Sequence, residues 1–206
     1  MNNDQATEQT ENEFTEAIYK EHFPLLKKTV WARKVDLNKD LDIIHDWMNR
    51  SHVAEFWHMA WPKEKIADYL IRQQQIEGFD CYIIFIESEA FGYFEIYQPH
   101  TDPVGATYKV ETGDIGLHVL IGEEKYQRRY IIRLSSLIVR LVFARHPETK
   151  RIIGEPDINN QTIQGVMKFV GFKWMANVKL PDKVGALHSL TIDDFERAQG
   201  RVRPSN

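Results

Sequence analysis

The chain has a single cysteine, Cys81, among 206 residues. One thiol cannot form an internal disulfide framework, and such sparing use fits a reducing compartment. No apolar run approaches the roughly 18 residues of a membrane-spanning helix. Residues 1–13 are polar and acidic, without the apolar core of a signal peptide. A cytoplasmic protein is therefore expected. There is also no basic excess: the formal net charge of −4 argues against a general nucleic-acid binder. The sequence contains no Gly-x-Ser-x-Gly elbow and no phosphate loop ending in Gly-Lys-Ser/Thr. His52, Glu55 and His58 lack the i, i+4 histidine spacing of a helical zinc site, and no metal is expected.

What is present is apolar residues at 43%, enough for a sizeable core, so global disorder is excluded. The length suits one domain. Residues 1–30 are assigned to an N-terminal extension, with a flexible leader over 1–13 and a short docking helix over 14–26. Residues 31–195 form the domain, and 196–206 a polar tail. The first strand is expected at 31–35. A helix capped by Asn38 follows, with Leu41, Ile44, Trp47 and Met48 at helical spacing. The aromatic stretch 51–61 connects it to a second helix over 62–76, stopped by Gly78. Strands at 81–87 and 91–97 make an antiparallel hairpin. Near the C-terminus, 173–180 and 186–192 are two further strands.

The chain is organised around residues 114–172. An alternating strand over 114–122 leads into a long amphipathic helix over 123–146. A second strand at 151–155 runs into Pro156-Asp157-Ile158-Asn159-Asn160, and a last helix ends at Gly171-Phe172. Strand, helix, strand with short connections predicts a crossover holding two parallel strands side by side. The fold class is α/β (α+β), a mixed and mostly antiparallel sheet split at those two strands.

His118 falls on the less apolar face of its strand, two residues from Gly116, which would leave room for a ligand. It is either a hydrogen-bonded core histidine or an acid/base group. Asp157 follows a strand and a proline, where a loop can aim a carboxylate at a cleft. It could equally cap the last helix, as could Asn159. Together the two make a plausible acid/base couple at the ends of adjacent strands. Lys125, Arg128, Arg129 and Arg133 gather at the start of the long helix, a costly placement unless an anion binds there, or else a solvated face balanced by Glu123 and Glu124. Phe56, Trp57 and Trp61 are candidates for a substrate pocket, whereas Trp47 has core spacing.

Three segments carry a family resemblance: Gly116-Leu117-His118-Val119-Leu120-Ile121-Gly122, Glu155-Pro156-Asp157-Ile158-Asn159-Asn160, and Val170-Gly171-Phe172. With 52–57 and Leu180-Pro181-Asp182-Lys183, they resemble the acyltransferases of hydroxamate-siderophore biosynthesis, a branch of the GCN5-related N-acetyltransferase superfamily. The resemblance covers roughly residues 31–195. It implies an acetyl-CoA or succinyl-CoA donor and an N-hydroxylated diamine or lysine acceptor, with His118 and Asp157 catalytic. It places a thioester-binding backbone N–H near Val119 or Leu120. The donor site would further draw on Gln127, Arg128, Arg129, Tyr130, Ile131, Arg133 and Asn160. Neither nucleic acid nor membrane is an expected partner, and a homodimer is compatible with this reading.

The sequence departs from the superfamily in two ways. Gln127-Arg128-Arg129-Tyr130-Ile131-Ile132 lacks the glycines that let a backbone approach a pyrophosphate. Met167 stands where many members place a tyrosine that protonates the leaving thiolate. Aminoglycoside 6′-N-acetyltransferases share a similar Asp-x-x-x-Asn turn and are the alternative enzyme reading. A non-catalytic acyl-CoA-binding protein is the alternative of another class.

Overall fold

A computed structural model describes residues 16–24 and 27–200, with the side chains of 128 and 129 excepted. The predicted leader (1–13) and the last six residues of the tail lie outside the described residues. Eight strands form one sheet in the order β1-β2-β3-β4-β5-β6-β8-β7. These are β1 (Tyr19–Phe23), β2 (Lys28–Lys34), β3 (Phe79–Ile86), β4 (Glu89–Tyr97), β5 (Asp114–Ile121), β6 (Arg151–Gly154), β7 (Lys173–Lys179) and β8 (Val184–Leu190). The helices are α1 (Leu37–Asn49), α2 (Ser51–Trp57), α3 (Lys63–Gln75), α4 (Glu124–Arg145), α5 (Gln161–Val170) and α6 (Ile192–Gly200). Every strand pairing is antiparallel except β5 with β6, the pair joined by the α4 crossover. No helix among the described residues is long and apolar enough to cross a membrane.

Helices cover both faces of the sheet, so its central strands are buried on both sides. On one face Trp31, Ile83 and Tyr93 pack with Ile44, Trp47, Ile66 and Leu70 of α1 and α3. On the other, Ile84, Phe94 and Leu117 pack with Leu134, Leu137, Ile138 and Val142, spaced along one stripe of α4.

Several sequence expectations change. The helix expected over 14–26 is replaced, where described, by β1, which extends the sheet antiparallel to β2. Isolated apolar periodicity could not reveal that edge pairing. The first helix is capped by Asp36, whose carboxylate accepts the Asn38 N–H at 3.0 Å; Asn38 is already inside the helix. The aromatic stretch after Arg50 is not all connection, because 51–57 form α2. It ends at His58 in the left-handed region, with φ 54°. Residues 196–200, assigned to the tail, continue α6, which buries Phe195 and Ala198.

Two glycines answer to tight packing. At Gly122, a Cβ would fall 2.2 Å from the Trp47 ring, so α1 docks directly against the start of α4. Gly171 ends α5 at φ +116°, and a Cβ there would meet the Asp194 carbonyl at 2.8 Å.

Candidate active site

β5 and β6 run in register only from Asp114 opposite Arg151 to Gly116 opposite Ile153. Beyond that the strands part, and a cleft of about 480 Å³ opens between them. Continuing the register two steps sets His118 across from Glu155. On the other side of β5, His118 lies directly opposite Glu95 of β4. Alternation therefore brings the three side chains to one face of the sheet, the face that also carries Tyr93 and Tyr97.

The resulting cluster is closely bonded. His118 Nδ1 is 2.8 Å from Glu95 Oε2, and its Nε2 is 2.8 Å from Glu155 Oε1. Glu95 Oε1 accepts hydroxyl hydrogens from Tyr69 and Tyr93, each at 2.7 Å. Tyr97 donates to Glu155 Oε2 at 3.3 Å and lies 3.0 Å from His118 Nε2. Lys183 Nζ approaches Glu155 Oε1 at 3.5 Å. The glutamates are buried, while the imidazole keeps 23% exposure toward the cleft that it lines.

Burial alone would disfavour charge on His118 and on Glu155. It opposes the His118 cation, yet Glu155 and then Glu95 overcome it and lift the imidazole to about 10. Burial likewise raises the Glu155 carboxyl, but the His118 charge and hydrogen bond, with Lys183 and Tyr97, bring it down to about 2. The phenol of Tyr97 is pushed well above its ordinary range by burial and then by Glu155. Cys81 is pushed up to about 12 by burial and then by Glu95, which leaves a thiol unsuited to nucleophilic catalysis.

The acid/base couple inferred from sequence is not a bonded pair. Among the described residues, the hydrogen bonds of His118 go to Glu95, Glu155 and Tyr97. Asp157 lines the same cleft but uses Oδ1 to accept the Asn159 N–H at 2.7 Å, and its Oδ2 lies 3.6 Å from His58 Nε2. The capping role falls to neither Asp157 nor Asn159. Asn160 caps α5 by accepting the Ile163 N–H at 3.1 Å. Gly116 leaves no room for a ligand either: a Cβ there would sit 2.2 Å from the Tyr97 ring, which occupies that space.

Phe56, Trp57 and Trp61 all line the cleft, and Trp57 meets His118 and Tyr93 edge-on with centroids 6.1 Å apart. Val119, Leu120, Gln127, Ile131 and Asn160 also line it. The Gly122 N–H donates to the Phe91 carbonyl across β4, so even-numbered residues of β5 point their N–H groups at β4. The Val119 N–H, rather than that of Leu120, faces the gap beyond β6. On α4, Gln127, Ile131 and Ser135 share the face toward the cleft at four-residue spacing. Tyr130 and Arg133 do not line the cleft: Tyr130 packs edge-on against Phe23, and Arg133 is exposed. The Arg128 and Arg129 side chains lie outside the described residues.

Sequence reasoning missed Glu95, Tyr97, Tyr69, Tyr93 and His58, and gave Glu155 and Lys183 no role. For Glu95 a signal existed: it is the lone charge in the buried run from Phe91 to Tyr97, and such a charge needs a partner. The tyrosines carried none, since aromatic residues in a strand are ordinary core.

The acetyltransferase (GNAT) domain family matches residues 36–180. An N-hydroxyputrescine acetyltransferase of Acinetobacter baumannii is 26% identical over 168 residues, covering 82% of this chain and 80% of that protein. The lysine N-acyltransferase MbtK of Mycobacterium tuberculosis is 29% identical over 156 residues, 73% of this chain and 72% of its own. Among solved structures, an uncharacterized protein from Bacillus halodurans superposes with a TM-score of 0.83 at 28% identity, covering 88% of this chain and 94% of that one. The aminoglycoside acetyltransferase AAC(6')-Ib, in complex with paromomycin and acetyl-CoA, gives 0.68 at 25% identity, over 86% and 99%. With its parted parallel strands and a family match over most of its length, this chain belongs to the acetyltransferase (GNAT) domain family and is an N-acyltransferase.

Proposed function

We propose that this chain transfers a short acyl group, acetyl or succinyl, from CoA to the nitrogen of a small N-hydroxylated amine, a diamine or lysine derivative used in hydroxamate siderophores. The observation that carries the reading is the cleft at the β5–β6 parting, with His118, Asp157 and an aromatic wall, in a chain similar to acyltransferases named for N-hydroxyputrescine, lysine and N6-hydroxylysine.

In this reading the donor's thioester enters between the parted strands, and its carbonyl oxygen accepts a hydrogen bond from the Val119 N–H. The pantetheine arm follows the α4 face made by Gln127, Ile131 and Ser135, and the pyrophosphate lies at the α4 N-terminus. Arg128 and Arg129 supply the charge that the missing glycines cannot offset by close backbone approach. Phe56, Trp57 and Trp61 wall the acceptor. The acceptor nitrogen attacks the thioester carbon, the C–S bond breaks, and the proton lost by nitrogen leaves with sulfur as the free thiol. Asp157 accepts that proton in passing. Met167, a cleft residue, has no proton to give the thiolate, so water delivers it.

The aminoglycoside reading draws on one observation, the acidic wall of Asp102, Glu155, Asp157 and Asp182, which suits a polycation. Glu155 is already neutralised by His118 and Lys183, which weakens it. A matrix of acyl-CoA donors against N-hydroxylated diamines, N-hydroxylysine, their parent amines and an aminoglycoside, followed by thiol release, tests the proposal. Turnover is expected to be highest with an N-hydroxylated acceptor. Preference for the aminoglycoside would favour the rival, and no CoA binding at all would leave a non-catalytic protein.

A further inference from the structure

The two imidazole nitrogens of His118 face different carboxylates at equal distance, 2.8 Å to Glu95 and 2.8 Å to Glu155. A carboxylate only accepts, and a neutral imidazole has one N–H to give. Both bonds can form at once only if the ring carries two protons or one of the acids keeps its own. Neither acid is placed to keep one. Glu95 already receives the Tyr69 and Tyr93 hydroxyls, and Glu155 has the Tyr97 hydroxyl and the Lys183 ammonium beside it.

We infer that His118 is a standing imidazolium clamped between Glu95 and Glu155, and that these glutamates are positioning residues that hold it as a charge and hydrogen-bond donor rather than as a proton shuttle. The groups facing it support this from every side. β4 contributes Glu95, Tyr93 and Tyr97, and α3 contributes Tyr69. The Trp57 ring of α2 meets it edge-on. Glu155 comes from the end of β6 and Lys183 from the β7–β8 turn, while Asp102 adds a further negative charge that acts on it at longer range. Two carboxylates, one imidazolium and one ammonium sum to zero, so the cluster is buried without net charge.

Resting on the proposed reaction, the consequence is that His118 is not available to strip a proton from an ammonium. That favours an acceptor that arrives unprotonated, a condition that a weakly basic N-hydroxylated amine meets at neutral pH and its parent alkylamine does not.

The test needs no substrate, so its failure is separable from failure of the proposed reaction. The full chain, with ¹³C- and ¹⁵N-labelled histidine, is titrated by NMR from pH 5 to 9, and the His118 signals are identified by their loss in His118→Gln. The expected result is that both ring nitrogens keep imidazolium shifts throughout. Glu95→Gln should lower the titration midpoint by about one to three pH units, the effect of removing a neighbouring opposite charge. A wild-type His118 that titrates between pH 6 and 8 would overturn the inference, and so would a Glu95→Gln imidazolium no more deprotonated at pH 9 than that of wild type. Should that variant fail to fold, the wild-type titration alone decides.

Discussion

Replacing Glu155 with glutamine keeps the size and shape of the side chain and removes only its charge. In the folded protein the Glu155 carboxyl lies at about 2 against an ordinary 4.5, and His118 at about 10 against 6.5. At about 1.4 kcal/mol per pH unit, the first difference corresponds to about 3 kcal/mol of stability and the second to about 5 kcal/mol. The two figures view one ion pair from opposite ends and are not added. The smaller describes Glu155 better, because that of His118 also contains the Glu95 contact. Glu155→Gln is therefore expected to lose about 3 kcal/mol near pH 6, at the lower edge of what breaking a buried ion pair usually costs. The pH dependence has a definite sign. A depressed carboxyl stabilises the fold above about 4.5, and that contribution is lost as pH falls toward 2. A raised imidazole stabilises it fully below about 6.5, and the contribution is lost as pH rises through 10. The gap between wild type and variant should thus be widest between pH 4.5 and 6.5 and should narrow on either side. Urea unfolding at pH 3.5, 6 and 9.5, with unchanged m-values, measures it. A gap under about 1 kcal/mol at pH 6, or one as wide at pH 9.5 as at pH 6, would refute the charged clamp.

Gly116→Ala drives a Cβ to 2.2 Å from the buried Tyr97 ring, so a loss of about 1–3 kcal/mol is expected. Adding Tyr97→Leu should relieve part of it, and strict additivity in that double-mutant cycle would count against the contact. Trp57→Ala should raise the acceptor's Michaelis constant more than the donor's, whereas equal effects with lost thermal stability would return Trp57 to the core. Asp157→Asn should lower turnover about 10²–10⁴-fold with CoA binding nearly unchanged, and near-wild-type turnover would remove that aspartate from the site. Arg129→Ala should weaken CoA binding about tenfold or more in calorimetry while hardly affecting a pantetheine thioester, because a charged phosphate contact contributes about 1.5–3 kcal/mol. Equal losses for both ligands would mean that the arginine only supports the fold.

Local order was legible in the sequence wherever neighbours along the chain settle it. The alternation of β5, the α4 stripe from Leu134 to Val142, the hairpin of β3 and β4 and the stop at Gly171 each follow from periods of 2 or 3.6 and from backbone sterics. The strand–helix–strand order likewise determined that β5 and β6 lie parallel, and hence where a cleft would open. Long-range pairing decided the rest. β1 is a strand because β2 offers it an edge, which nothing within its own five residues encodes. Gly116 suggested space until Tyr97, nineteen positions earlier, filled it from the next strand. His118 and Asp157 stood out as a couple because both are polar groups at strand ends, yet register sets Glu95 and Glu155 against the histidine and leaves the aspartate to His58. A titratable side chain takes its charge state from whatever charges lie within a few ångströms of it. In a sheet those neighbours come from other strands, so the composition of β5 could identify His118 but only the pairing of β4, β5 and β6 could make it a cation.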